Sequence, residues 1–127
     1  MKTLASSVLM IPFGWFGTGK AGKTAPRKIS PGEAKTMLEE GAPCTLLDVR
    51  TRDEFLEGHI KGAKLIPISE ITARAETELP DKNAVILVYC QSGGRSAKAA
   101  AALAGMGYTN IQNLGGITDW PYGTVRD

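Results

Sequence analysis

The apolar run Ala84-Val85-Ile86-Leu87-Val88-Tyr89 ends in Cys90 and passes at once into Gln91-Ser92-Gly93-Gly94-Arg95-Ser96. No other stretch constrains the chain as much. The run reads as a buried β-strand. From Ser96, the sequence Ser96-Ala97-Lys98-Ala99-Ala100-Ala101-Ala102-Leu103 is strongly helix-prone, and Gly107 is its expected stop. Strand, short glycine-containing loop and helix N-terminus together make an anion cradle, because several N–H groups point out of the loop. The residue at the mouth of this cradle is a thiol.

The rest of the chain alternates in the same way. Ser30-Pro31-Gly32-Glu33 is a capping box with proline at the first helical position, opening a helix expected to stop at Gly41. Thr45-Leu46-Leu47-Asp48-Val49 is a short buried strand. Thr51-Arg52-Asp53-Glu54 is a second capping box, starting a short helix that ends near Gly58. Ala63 to Ile66 is a further strand, Ser69 to Leu79 a helix broken by Pro80, and Asn110 to Leu114 the last strand. Gly115-Gly116 then leads to a turn around Trp120. Strands and helices joined by such short connections predict an α/β domain with a mainly parallel sheet.

At 127 residues the chain is one domain, large enough to bury a core without disulfides or metals. The net charge of +2 is unevenly spread. Residues 1–28 carry five basic side chains (Lys2, Lys20, Lys23, Arg27, Lys28) and no acidic one, leaving ten basic against thirteen acidic residues in the remainder. The folded part therefore has no basic stripe, which argues against a nucleic-acid partner. We divide the chain into a tail and linker, residues 1–26, and a domain, residues 27–127. Residues 1–17 are mostly apolar but broken by Pro12 and Gly14, short of the ~20 apolar residues of a membrane span. The expected location is cytoplasmic. Export, or membrane contact through residues 1–17, is the alternative.

The two cysteines, Cys44 and Cys90, form no CxxC pair, and there is a single histidine, so neither zinc-ligand spacing nor any other metal or cofactor site is expected. Cys44, at the start of an apolar strand, reads as core filler. Cys90 is different. In a parallel α/β sheet the reactive crevice lies outside the carboxyl ends of the strands, where both Cys90 and the Asp48-Val49-Arg50 triplet fall. Loop N–H groups, the helix N-terminus and the Arg95 charge should all favour the Cys90 thiolate. Asp48 and Arg50 are read as loop support: Asp48 as a carboxylate that accepts loop amides or pairs with an arginine rather than a general base, and Arg50 as an ion-pair partner rather than a substrate ligand. His59 reads as a packing or hydrogen-bonding residue.

Cys90-x-x-Gly93-x-Arg95-Ser96 resembles the active-site loop of the rhodanese family of sulfurtransferases. Leu46-Leu47-Asp48-Val49-Arg50, Glu54-Phe55, Gly58-His59-Ile60-x-Gly62-Ala63 and Leu114-Gly115-Gly116-Ile117 with Trp120 extend the resemblance across most of residues 28–121. It implies a rhodanese-like fold: a five-stranded, mainly parallel sheet with helices on both faces. It further implies that Cys90 takes sulfane sulfur from thiosulfate or a persulfide or polysulfide as a Cys90 persulfide, then yields it to cyanide, a thiol or a protein acceptor. Backbone amides from Gln91, Ser92, Gly93, Gly94, Arg95 and Ser96 would hold the anion, and Arg95 would bind donor or brace the loop against Asp48. Many members have arginine directly after the cysteine; here Gln91 stands there, which weakens attraction for a dianion. The segment after Trp120 is also shorter than is usual. Two competing functions are a non-enzymatic persulfide carrier or sensor, and a Cys-dependent phosphatase or arsenate reductase. The phosphate loops of the latter place one more residue between Cys and Arg than the four found here, which argues for sulfur.

Overall fold

A computed structural model describes residues 24–127; the apolar segment 1–17 and most of the linker lie outside the described residues. In chain order the elements are β1 (Arg27–Lys28), α1 (Pro31–Glu39), β2 (Cys44–Asp48), α2 (Arg52–Glu57), β3 (Lys64–Leu65), α3 (Ile71–Glu78), β4 (Val85–Cys90), α4 (Gly94–Gly105) and β5 (Ile111–Gly116). Both capping boxes form. Ser30 Oγ accepts from Glu33 N–H and Glu33 accepts from Ser30 N–H; Thr51 and Glu54 do the same. Each satisfies orphan donors at a helix start, which is why these short segments commit to helix.

The five strands form one sheet in the order β1-β5-β4-β2-β3, every neighbouring pair parallel. The α/β fold with a five-stranded sheet is therefore as the sequence and the resemblance imply. Some boundaries differ. Arg27–Lys28 forms an edge strand beside β5 that a two-residue segment could not announce by periodicity. Gly115 and Gly116 are the end of β5, and the expected turn follows them at Ile117–Asp119.

Period-two alternation divides the core between the two faces of the sheet. Leu47, Val49, Ile86, Val88 and Cys90 pack with Ile71, Ala75, Ala99 and Leu103 from α3 and α4. Leu46, Leu87, Tyr89 and Leu114 pack on the other side with Ala34 and, half-buried, Met37 and Leu38 of α1. From β2 the chain steps outward to β3, whereas from β4 it steps the other way to β5. The crevice between the carboxyl ends of β2 and β4 is thus the switch point of the sheet. Among the described residues no helix is long and apolar enough to cross a membrane.

Candidate active site

Cys90 is the last residue of β4 and only 1% exposed. Gln91, Ser92 and Gly93 make the connection, and α4 starts at Gly94, two residues earlier than the alanine-rich pattern indicates. Gly94, Arg95 and Ser96 are consequently the first helical turn and not loop, so their N–H groups are the unpaired donors of a helix N-terminus. Gly93, the helix cap, has φ 111°, a conformation that strains any residue bearing a Cβ. That turn brings its N–H to 3.0 Å from Cys90 Sγ. Burial raises the thiol pKa, but the Ser96 N–H and hydroxyl and the Gly93 and Arg95 N–H groups outweigh it, so the net shift is downward. The Ser96 hydroxyl has one proton and already donates it to the Gly93 carbonyl at 3.0 Å. The three N–H groups are therefore the steady source of the effect.

The sheet sets Asp48 and Arg50 beside this loop. Asp48 is fully buried and accepts the Arg50 backbone N–H at 2.8 Å and its Nε and Nη2, the latter also at 2.8 Å. Arg50 Nη2 further donates to the Gly58 carbonyl at 2.7 Å, and Nη1 donates to Gln91 Oε1 at 3.1 Å. One buried guanidinium thereby ties the end of β2 to the end of α2 and to the first loop residue. Burial alone would lower the Arg50 pKa, but its contacts to Asp48 prevail and raise it. Both Asp48 oxygens accept from Arg50, which fits the carboxylate as an anchor for that guanidinium.

Arg95 does not pair with Asp48, the bracing contact that is one of the two roles the sequence leaves open for it. Its Nη1 and Nη2 donate to Glu54 Oε1 and Oε2 at 2.7 and 2.9 Å. Arg50 already occupies Asp48, so the free carboxylate within reach of Arg95 is the one in the first turn of α2. The full cationic charge expected beside the thiol is thus largely cancelled. Glu54 is held at about 2, first by the Arg95 hydrogen bonds, against the desolvation that opposes it.

Two residues named in the sequence without a role at the site take one here. Glu54 was legible as half of a capping box and as part of the Glu54-Phe55 block, but not as a partner of Arg95. Gly116 sits against the loop so closely that a Cβ there would lie 2.6 Å from the Gln91 carbonyl oxygen and 2.7 Å from Ser92 Cα. A register shift in β4–β5 pairing opposite Val88/Tyr89 puts Cys90 directly beside Gly116. His59 is buried, stacked on Phe55 at 3.7 Å, with Nδ1 2.9 Å from the Phe55 carbonyl, which places the ring proton on Nδ1. Cys44 starts β2, paired with Val85 at the start of β4. Five residues along a strand separate that end from Cys90, about 16 Å, far beyond disulfide reach.

A family model described as the rhodanese-like domain matches residues 30–121. The thiosulfate sulfurtransferase PspE of Escherichia coli (strain K12) is 41% identical over 73 residues, covering 58% of this chain and 70% of that protein. Thiosulfate sulfurtransferase 18 of Arabidopsis thaliana is 35% identical over 100 residues, covering 69% of this chain and 72% of its own. The crystal structure of a rhodanese-like domain protein from Staphylococcus aureus superposes with a TM-score of 0.70 at 32% identity, over 80% of this chain and 98% of that one.

Proposed function

The chain belongs to the rhodanese-like domain family and is a rhodanese-type sulfurtransferase; we propose that it moves a sulfane sulfur through a persulfide on Cys90. The donor is thiosulfate or a persulfide or polysulfide, and the acceptor is a thiol, cyanide or a protein thiol. With thiosulfate, the Cys90 thiolate attacks the outer sulfur. The donor S–S bond breaks and sulfite leaves with its electron pair, so the negative charge moves to the terminal sulfur on Cys90. A nucleophilic acceptor then attacks that terminal sulfur: cyanide gives thiocyanate, a thiolate gives a new persulfide. The Cys90 thiolate is regenerated and needs no net proton.

The observation carrying this reading is the Gly93 N–H at 3.0 Å from Sγ, in a first helical turn whose N–H groups at Arg95 and Ser96 also lower the thiol. Such donors favour the attacking thiolate and the terminal persulfide anion alike. Asp48, Arg50 and Gln91 hold the loop in place.

Incubation with thiosulfate or polysulfide, followed by intact mass measurement, should show one added sulfur atom; adding cyanide should then release thiocyanate. If no sulfur is gained from either donor, sulfur transfer fails as the function. Activity that survives Cys90→Ala would remove Cys90 from the mechanism.

A further inference from the structure

Both arginines that reach the Cys90 loop are paired with carboxylates. Arg50 is buried against Asp48, and its remaining donors go to Gly58 and Gln91. Arg95 is the one a donor could meet: its side chain is 34% exposed and that of its partner Glu54 28%. Its backbone N–H faces the sulfur, and its guanidinium lies near enough to feel charge on Cys90 and Asp48. Glu54 nevertheless engages two of its nitrogens, at 2.7 and 2.9 Å. The residue directly after the nucleophile, Gln91, adds no charge. A dianion approaching this rim must either displace Glu54 from Arg95 or rest beside a carboxylate. A donor carrying one negative charge or less meets a smaller penalty.

We infer that Glu54 is a specificity-determining residue: by closing Arg95 into a neutral pair at the rim, it favours sulfane-sulfur donors of low charge over dianionic thiosulfate. The donors so favoured are organic persulfides and thiosulfonates. The inference rests on the sulfur-transfer reading and names its donor class. With a thiosulfonate, the Cys90 thiolate takes the outer sulfur, the S–S bond breaks, and the sulfinate leaves with the electron pair. Atoms and charge balance as they do for thiosulfate and sulfite.

Methanethiosulfonate anion and thiosulfate offer the same reacting sulfur and differ by one charge. Glu54→Gln frees the guanidinium while a glutamine at this position still completes the capping box. The ratio of kcat/KM for thiosulfate to that for methanethiosulfonate should rise about fivefold, carried by KM, the size expected for a partly exposed ion pair. A general loss of loop order would lower both donors alike and leave the ratio where it was, which overturns the inference. Binding gives an arm free of turnover. In Cys90→Ser protein, which forms no persulfide, thiosulfate titrated by calorimetry should bind about fivefold more tightly once Glu54→Gln is added. Unchanged or weaker binding overturns the role of Glu54. Wild type that turns over neither donor overturns sulfur transfer, and the binding arm then decides Glu54 alone. Should Glu54→Gln not fold, Glu54→Ala tests the same charge.

Discussion

At Cys90, burial and hydrogen bonding pull in opposite directions. Burial penalises the anion, and the N–H groups of Gly93, Arg95 and Ser96 stabilise it by more. The thiolate is held mainly by amide dipoles in a helix's first turn, since Arg95 has its charge matched by Glu54. Alkylation rate against pH should therefore show a midpoint below the ~8.5 of a free thiol. The absolute rate will be slow at 1% exposure, so the midpoint is the quantity to read. A midpoint at or above ~8.5 would contradict the hydrogen-bonding account. The cysteine, the glycines and the helix-forming alanines that follow made this arrangement legible, because the thiol and its N–H donors lie within seven positions, Cys90 to Ser96.

At the scale of elements, α2 shows how one side chain can serve twice. Glu54 Oε1 accepts the Thr51 N–H at 2.9 Å, capping α2, and accepts Arg95 at 2.7 Å, docking α2 on the start of α4. The capping box is a local pattern and could be read directly. The docking contact joins residues 41 positions apart, for which no spacing rule exists. Its pH dependence has a definite sign. The Glu54 carboxyl titrates at about 2 in the folded chain against an ordinary value of 4.5, a depressed acid. Its stabilisation is complete above 4.5 and is lost as pH falls from there through about 2. The difference in Tm between wild type and Glu54→Gln should be full at neutral pH and shrink across that interval. A difference that stayed constant down to pH 2 would show that the ion pair contributes nothing.

At the scale of the whole molecule, the sheet order puts β4 between β2 and β5, so three carboxyl ends meet at one crevice. From β2 come Asp48 and Arg50, from β4 comes Cys90, and from β5 comes Gly116. The last contributes by having no side chain. Its φ of −106° suits any residue, so Gly116→Ala carries a purely steric cost. The added methyl, 2.6 Å from the Gln91 carbonyl oxygen, must push the loop away from β5. We expect a stability loss of about 1–3 kcal/mol, as for other overpacked sites, together with reduced thiocyanate formation. Denaturant melts and the cyanide assay check both; wild-type values in each would show that the loop has room to yield. The same sheet keeps Cys44 and Cys90 at opposite ends, which leaves both thiols free.

By itself the sequence determined the α/β class, the two capped helices, the strand that ends in Cys90 and the thiol at a helix N-terminus. Each of these is set by residues within a few positions of one another, where periodicity, capping and glycine chemistry act. Only the tertiary structure decided that Arg95 pairs with Glu54, 41 positions away, rather than with Asp48. It also decided that Arg27–Lys28 completes the sheet and that Gly116 walls the loop. Charge pairing and close backbone approach depend on distances that exist only once the strands have assembled.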